Sequence, residues 1–226
     1  MNITYYGHSC FGVDFGGHRL LFDPFISPNE LADKIDISSI EADFILVSHA
    51  HQDHVADLEK IAKNTGAIII SNYEIATRYG EKDFDTYPLN HGGKAQFAFG
   101  TAKYVAAIHS SSYADGSFGG NPGGFVVWND DQCFYFSGDT ALTMDMKLIP
   151  MTCPKLDVAI LPIGDNFTMD VTEAAIACDF VKCDRAIGCH YDTFGYIKIN
   201  QDEAKQTFES AGKTLLLPAI GESLTI

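Results

Sequence analysis

The feature that most constrains the fold of this chain is a run of histidine and aspartate placed directly after an apolar stretch. The run is His49-Ala50-His51-Gln52-Asp53-His54, and the stretch before it is Phe44-Ile45-Leu46-Val47. In an extended segment, residues two apart point the same way, so His49 and His51 can bind one cation together. The helical pattern that follows would turn Asp53 and His54 toward a second cation. A histidine-rich surface loop is the alternative, but such a loop does not require this spacing.

Length and composition indicate one domain. The chain has 226 residues, of which 46% are hydrophobic, and this is enough to bury one substantial core. No low-complexity tract, charge block or proline-rich linker interrupts it. We therefore expect a single domain that spans residues 1–226.

The charge of the chain restricts its partners. The formal net charge is −15, which repels phosphate backbones and disfavours binding of long nucleic acids. A small anionic substrate stays compatible, because bound dications reverse the potential inside a pocket. No stretch approaches the roughly 20 apolar residues of a membrane helix, so no membrane partner is expected. The expected partner is a small-molecule substrate, and assembly into a homo-oligomer is left open.

The N-terminal residues and the cysteines predict a cytoplasmic location. The first residues contain neither a basic leader nor an apolar run, so a signal peptide is not expected. Six cysteines are scattered without CxxC spacing, and we expect them to stay reduced.

The order of strand and helix patterns predicts two similar halves. Each half begins with β-hairpin patterns, with turns at Gly16-Gly17 and at residues 129–131. Each then continues as strand, helix and strand, with helices predicted over residues 55–64 and 171–181. Two β-rich sheets packed face to face with helices outside would follow. The expected fold class is therefore α/β, as a four-layer αββα sandwich.

Three later residues repeat the arrangement of the first run. His109, Asp139 and His190 each follow an apolar, strand-like stretch. Rigid strands position functional groups at their ends, while loops admit substrate. Taken alone, any one of the three could be a polar residue that ends a strand and has its hydrogen bonds satisfied there. Together with the histidine run, the repetition favours one shared site.

These residues carry a family resemblance. The motif His49-x-His51-x-Asp53-His54, followed by His109, Asp139 and His190, resembles the metallo-β-lactamase superfamily over essentially the whole chain. Further segments resemble its branch of predicted metal-dependent hydrolases related to ascorbate-6-phosphate lactonase. These segments are Gly7–Phe11, Leu21–Phe25, Gly120–Phe125, Gly164–Met169 and His190–Phe194. They do not fix a substrate.

The resemblance implies two neighbouring divalent cations, each with three ligands of its own. The ligands of the first would be His49, His51 and His109. The ligands of the second would be Asp53, His54 and His190. Asp139 would bridge the two cations, with a water or hydroxide completing both shells. Zinc is the first expectation, and manganese, iron and nickel are alternatives, since all ligand atoms are nitrogen or oxygen.

Two further residues are expected to lie next to the metal ligands or the substrate. Asp23 is expected to hydrogen-bond a ligand imidazole and fix its tautomer. Its alternative is a cap on the turn at Pro24. His8 is expected to contact substrate or to line the pocket, with a packed core histidine as the alternative.

Three more residues are assigned to the neighbourhood of the site. Asn121 and Asp165 lie in the branch segments and are expected to contact substrate or to support a ligand. Asp192 departs from the branch pattern, which has a small residue two positions after the last histidine. Its carboxylate would either pair with His190 or change which anions the pocket accepts.

The chemistry predicted from these residues is hydrolysis. Two adjacent cations lower the pKa of a shared water and polarise the bond under attack. Asp53 would act in catalysis by passing a proton to the leaving oxygen. No Gly-x-Ser-x-Gly motif occurs, so hydroxide is the expected nucleophile. The leading prediction is a hydrolase that cleaves a small ester, lactone or similar substrate.

Two alternatives stay open. One is a phosphodiesterase that acts on a small phosphodiester with the same metal frame. The other is a non-catalytic metal-binding scaffold, in which the cations only join the sandwich. Structural zinc sites are closed and usually rich in cysteine, which disfavours the scaffold.

Overall fold

A computed structural model describes all residues 1–226 and contains two seven-stranded sheets. The first sheet has the spatial order β14-β1-β2-β3-β4-β5-β6. Its strands are β1 (Asn2–Gly7), β2 (Cys10–Phe15), β3 (His18–Phe22), β4 (Phe44–Leu46), β5 (Ile68–Asn72), β6 (Thr86–Leu89) and β14 (Ser223–Thr225). Strands β14 to β3 pair antiparallel, and β3 to β6 pair parallel.

The second sheet repeats this plan, with the spatial order β13-β12-β11-β10-β9-β8-β7. Its strands are β7 (Lys94–Phe97), β8 (Gly100–Ala106), β9 (Gly123–Trp128), β10 (Cys133–Phe136), β11 (Val158–Pro162), β12 (Arg185–Cys189) and β13 (Thr214–Leu216). Strands β7 to β10 pair antiparallel, and β10 to β13 pair parallel. The predicted similarity of the two halves is therefore present in the pairing of their strands.

Helices cover the outer face of each sheet. Those that follow strands of the first sheet are α1 (Gln52–Val55), α2 (Leu58–Thr65) and α3 (Tyr73–Gly80). Those that follow strands of the second sheet are α4 (Ile149–Thr152), α5 (Val171–Val181) and α6 (Gln201–Ser210). Short 3₁₀ helices occupy Glu30–Ala32, Ile37–Ser39, Met144–Leu148 and Gly195–Ile197. None of these helices is both long and apolar enough to cross a bilayer.

Three apolar clusters separate the four layers. The central cluster lies between the sheets and joins aromatic rings from both, such as Phe22 of β3 and Phe136 of β10, whose centroids are 4.9 Å apart. The other two clusters lie between each sheet and its helices. Burial of alternating apolar side chains on two faces of each sheet drives this stacking. The predicted αββα sandwich is confirmed.

The helix predicted over residues 55–64 is broken in the structure. Helix α1 ends at Val55 and α2 begins at Leu58, with Asp57 in a non-helical conformation between them. The carboxylate of Asp57 accepts hydrogen bonds from the backbone N–H groups of Ile26 and Ser27, at 2.6 and 2.8 Å. These bonds compete with helix continuation, as aspartate side chains often do. They also hold the loop after β3 against the histidine run.

Candidate metal centre

The predicted ligands converge where strands of both sheets end. Oδ2 of Asp139, after β10, lies at the centre of four imidazoles. Its distances to their Nε2 atoms are 2.9 Å for His190, 3.2 Å for His54, 3.6 Å for His109 and 4.0 Å for His49. Parallel strands share one carboxyl edge, which explains why residues this far apart in sequence meet.

One group of side chains matches the predicted ligands of the first cation. Ring nitrogens of His49, His51 and His109 all lie within 4.8 Å of one another. Nε2 of His49 and Nδ1 of His51 are 3.0 Å apart, so the two rings present nitrogens to one point.

A second group matches the predicted ligands of the second cation and adds a fourth residue. Atoms of His8, Asp53, His54 and His190 lie within 4.8 Å of one another. Oδ2 of Asp53 is 3.9 Å from Nε2 of both His54 and His190. Nε2 of His8 lies 3.0 Å from the same Asp53 oxygen. His8 is buried, so its polar contact is with Asp53 rather than with open solvent.

Asp23 controls the imidazoles of two predicted ligands. Its Oδ2 lies 2.7 Å from Nδ1 of His54, which makes Nδ1–H the donor and, in the neutral ring, leaves a lone pair on Nε2. The hydroxyl of Ser48 also donates to this oxygen, at 2.5 Å, and lies 2.9 Å from Nδ1 of His49. Because Ser48 has one hydroxyl proton, its oxygen must accept from His49. The lone pairs on both Nε2 atoms therefore point inward, one toward each group.

The arrangement fits a cation better than it fits hydrogen bonding alone. Nε2 of His54 lies 3.2 Å from Oδ2 of Asp139, so this nitrogen must either carry a proton or bind a cation to avoid placing two acceptors against each other. Nε2 of His54 and Oδ1 of Asp139 are both buried and have no hydrogen-bond partner. Unsatisfied buried polar atoms are costly, and a divalent cation would satisfy both.

The electrostatics point the same way. Burial alone would lower the pKa of His54, yet the nearby carboxylates of Asp139, Asp53 and Asp23 raise it well above its ordinary value. The pKa of His49, by contrast, is lowered by burial and by the neighbouring His54. The carboxylates thus create a demand for positive charge at the centre of the site.

Three of these residues have left-handed backbone conformations. The φ angles are +54° for His8, +41° for Asp23 and +54° for His190. Non-glycine residues adopt this region at a cost of about 1–2 kcal/mol each. The backbone N–H of His190 donates to the carbonyl of His8 at 2.9 Å, which joins the end of β12 to the end of β1. Clustering of strained residues is typical of functional sites.

The loop after β8 packs tightly on the histidine run. A Cβ added at Gly119 would lie 2.2 Å from Cβ of Ala50, the residue between His49 and His51. The hydroxyl of Ser111 accepts from the backbone N–H of Ala50 at 3.2 Å. Only glycine fits at position 119, so this loop forms a wall of the site.

The remaining predicted residues lie outside the polar network of the ligands. The side chain of Asn121 is exposed, while its backbone carbonyl accepts from the Asn72 amide at 3.3 Å. The carboxylate of Asp165 accepts from the backbone N–H of Asn166 at 2.7 Å, within its own turn. Neither side chain hydrogen-bonds a predicted ligand.

Of the two alternatives for Asp192, pairing with His190 is wrong. The Asp192 carboxylate accepts from the backbone N–H of Ile199 at 3.0 Å and from the side-chain amide of Gln201 at 2.9 Å. Nδ1 of His190 has no hydrogen-bond partner. The backbone of Asp192 is left-handed, with φ +63°. Its carboxylate stabilises the segment that leads from His190 into α6.

Two supporting residues were missed from the sequence. Ser48 links Asp23 to His49, and Thr193 places its Oγ1 3.0 Å from Nδ1 of His8. Ser48 directly precedes the run, and Thr193 lies in a segment that resembles the branch. Their positions were visible in the sequence, but Asp23 lies 25 residues from Ser48, and His8 lies 185 residues from Thr193.

Side-chain exposure shows where the site opens. The side chains of Asp53 and His109 are 25% and 13% exposed, whereas that of Asp139 is 2% exposed. A substrate would therefore approach from the side of Asp53 and His109.

Comparisons with known proteins agree with this geometry. A family model described as Beta-lactamase superfamily domain matches residues 2–190. A metal-dependent hydrolase of Christiangramia forsetii is 58% identical over 227 residues, covering 100% of both chains. One of Flavobacterium johnsoniae is 56% identical over 226 residues, again covering 100% of both. The solved structure of a metallo hydrolase from the archaeon Ignicoccus hospitalis has a TM-score of 0.89 at 31% identity, covering 99% of this chain and 97% of that one.

Proposed function

The chain belongs to the metallo-β-lactamase superfamily, as one of its metal-dependent hydrolases, and we propose that it cleaves a small ester, lactone or similar substrate using two divalent cations. The observation that supports this most directly is the convergence of six nitrogen and oxygen donors around the carboxylate of Asp139. The two groups of donors flank that carboxylate, as a bridging ligand requires. Zinc remains the first expectation, with manganese, iron and nickel as alternatives, because no sulfur donor takes part.

When bound, two divalent cations supply a water nucleophile active at neutral pH and stabilise the negative charge that develops on the substrate. His49, His51 and His109 would hold one, and Asp53, His54 and His190 the other. Asp139 would contact both.

Asp53 is the proposed proton carrier. Its side chain is 25% exposed, whereas those of Asp139 and His190 are each 2% exposed, and so it can reach a leaving oxygen. The hydrogen bond from His8 fixes the direction of one carboxylate oxygen. A general acid or base must be positioned within hydrogen-bond reach of the reacting group, and this contact provides that positioning.

The surroundings of the cysteines favour water as the nucleophile. Cys10 and Cys189 are the thiols nearest in sequence to His8 and His190, and both are fully buried. Burial raises the pKa of each thiol above its ordinary value, so neither forms a reactive thiolate at neutral pH.

The proposed partner is a small molecule. A net charge of −15 opposes the approach of long nucleic acids, and a small substrate needs no extended binding surface. This agrees with a site whose open face is limited to the side of Asp53 and His109.

A substrate panel with metal-loaded protein tests the proposal. The panel contains p-nitrophenyl acetate, γ- and δ-lactones and bis-p-nitrophenyl phosphate, each assayed with zinc, manganese, iron and nickel. We expect turnover of the acetate or a lactone, and a loss of at least about 10³-fold in Asp139→Asn. The matched control is Asp130→Asn, which changes an exposed hairpin residue and should keep full activity.

The other outcomes identify the alternatives. Turnover of the phosphodiester alone would replace the proposal with a phosphodiesterase. Full metal content without turnover of any panel member would instead favour a non-catalytic metal-binding scaffold.

A further inference from the structure

Building on the proposed function, we infer that the substrate carries, remote from the reacting bond, an uncharged apolar group that packs beside Phe194. The inference depends on the side chains that surround the open face of the metal centre. It concerns the class of substrate that this face accepts.

Exposed apolar side chains are concentrated near the strand ends that carry the site. Twelve large apolar side chains are exposed on the whole molecule. Five of them lie in the segments that follow these strand ends: Ile108, Phe118, Phe167, Phe194 and Tyr196. Exposed apolar surface near a polar, reactive centre is typical of a small-molecule site, in which few polar groups fix orientation and apolar groups supply affinity.

Phe194 lies closest to the proposed catalytic groups. Its ring centroid is 5.2 Å from that of His8, whose Nε2 contacts Asp53. The centroid of Phe25 is 5.4 Å from that of His8 and 6.3 Å from that of Phe194. Phe25 is buried, while Phe194 is 37% exposed. The partly exposed ring of Phe194 therefore lies beside His8, and His8 in turn contacts Asp53.

Other members of the group border the site from different segments. Ile108 directly precedes His109, and it is 55% exposed. Phe118 directly precedes Gly119, which packs against Ala50, and is 64% exposed. Both residues thus lie directly beside site residues in the sequence, in a segment other than that of Phe194.

Phe167 and Tyr196 form a further pair, with ring centroids 6.3 Å apart. The loop of Phe167 is anchored near the bridging carboxylate, because the backbone N–H of Met169 donates to the carbonyl of Thr140 at 3.1 Å. Tyr196 lies two residues after Phe194, in the segment that begins at His190.

Positive charge is nearly absent from the same segments. The segments around the site are residues 7–9, 23–29, 47–57, 107–122, 137–143, 163–170 and 190–200. Of the 15 lysines and arginines in the chain, only Lys198 lies in them. Carboxylates and phosphates are usually recognised by arginine or lysine. Arg78, from α3, contacts one of these segments, but its guanidinium already pairs with the Asp115 carboxylate at 2.8 Å. A substrate with a negatively charged group remote from the reacting bond would therefore find no unpaired arginine in these segments, and Lys198 is their one lysine.

Chain-length and charge series of hydroxamic acids test this inference, since hydroxamates bind metal centres without being hydrolysed substrates. The probes are acetohydroxamate, hexanohydroxamate, the monohydroxamate of adipic acid and 6-aminohexanohydroxamate. The last three have equal length and differ only in the terminal group. Their dissociation constants are measured by calorimetry with the metal-loaded protein.

We expect hexanohydroxamate to bind about tenfold more tightly than acetohydroxamate, since its added methylenes are partly buried. The carboxylate- and amine-terminated probes should each bind at least about fivefold more weakly than hexanohydroxamate, because their charged ends oppose that burial. Phe194→Ala should reduce the ratio between hexano- and acetohydroxamate to less than about threefold. Tyr87→Ala, which removes an exposed aromatic ring on β6, should leave the ratio unchanged.

Equal affinity for the neutral and charged six-carbon probes would overturn the inference, as would a ratio that Phe194→Ala does not change. The readout does not require turnover, so it separates the two hypotheses. A preference for hexanohydroxamate without hydrolysis of any ester or lactone would overturn the proposed function alone. Ester hydrolysis without that preference would overturn the inference about the substrate alone.

Discussion

His8 and Asp53 are joined by their side chains, with Nε2 of the imidazole 3.0 Å from Oδ2 of the carboxylate. The other ring nitrogen of His8 faces Oγ1 of Thr193 at 3.0 Å. Burial lowers the pKa of His8 to about 4, although the bond to Asp53 opposes that shift. A neutral ring that donates through Nε2–H and accepts at Nδ1 satisfies both contacts. His8 thus directs one of the proposed metal ligands.

Substitution of His8 should weaken binding of the second cation. In His8→Ala the carboxylate of Asp53 loses its orienting donor, and we expect affinity for one cation to fall about 10–100-fold. His8→Gln can still donate a hydrogen bond and should recover part of this loss. Competition with a chromophoric chelator measures both affinities, and His18→Ala, at a partly exposed histidine, is the control. If His8→Ala bound both cations with unchanged affinity, that would contradict the role of His8 in orienting Asp53.

Asp23 and Ser48 should differ in which cation they affect. Asp23→Ala removes the acceptor for both His54 and Ser48, so we expect weaker binding of both cations. Ser48→Ala breaks only the link to His49, so we expect weaker binding of the first cation alone. Each variant should also lose about 1–3 kcal/mol of stability from buried hydrogen bonds. Metal titration followed by denaturant unfolding checks both statements, and identical titration curves for the two variants would refute the distinction.

Metal removal should destabilise the protein, and the effect should depend on pH. Without cations, three carboxylates (Asp23, Asp53 and Asp139) stay clustered without the positive charge they attract. We expect a lower Tm for the chelated protein, by an amount that grows with the ratio of free metal to Kd. The pKa of His54 is raised, so a proton competes with the cation there. As pH falls, protonation should weaken metal binding, and the difference in Tm should shrink between pH 8 and pH 5.

Calorimetric scans of loaded and chelated protein across this pH range provide the measurement. A difference in Tm that is constant with pH, or that grows as pH falls, would show that the imidazoles do not bind the stabilising cations.

The cysteines should react very unequally with a thiol reagent. Five of the six are buried and Cys153 is half-buried. Burial raises the pKa of Cys133 and Cys178 to about 12, which further suppresses their thiolates. Dithionitrobenzoate should therefore label one thiol rapidly in the native protein and six after denaturation. Cys153→Ser should abolish the rapid phase, and fast labelling of further thiols would show that the core opens more readily than its burial indicates.

Much of the architecture could be predicted because its causes are local. Apolar runs that end in histidine or aspartate mark strands β4, β8, β10 and β12, and the shared carboxyl edge of parallel strands brings those ends together. The observed helix α5 has the predicted bounds, Val171–Val181. These elements follow from periodicity within a short window.

Other features depend on distant partners and could not be predicted. Strand β14 is a short segment, Ser223–Thr225, with no alternating pattern, and it pairs with β1 at the opposite end of the chain. The break between α1 and α2 depends on Asp57, whose partners are about 30 residues earlier in the sequence. The bond between His8 and Asp53 spans 45 residues. In each case the residue type permits several roles, and tertiary contacts select one.

Each proposed cation takes its ligands from both halves of the chain. Residues 1–90 contain His49, His51, Asp53 and His54, whereas His109, Asp139 and His190 come from the remainder. A polypeptide cut between β6 and β7 would therefore yield two pieces, neither of which has a full set of donors for either cation. Reassociation of such pieces and uptake of metal would be coupled equilibria, so that each promotes the other.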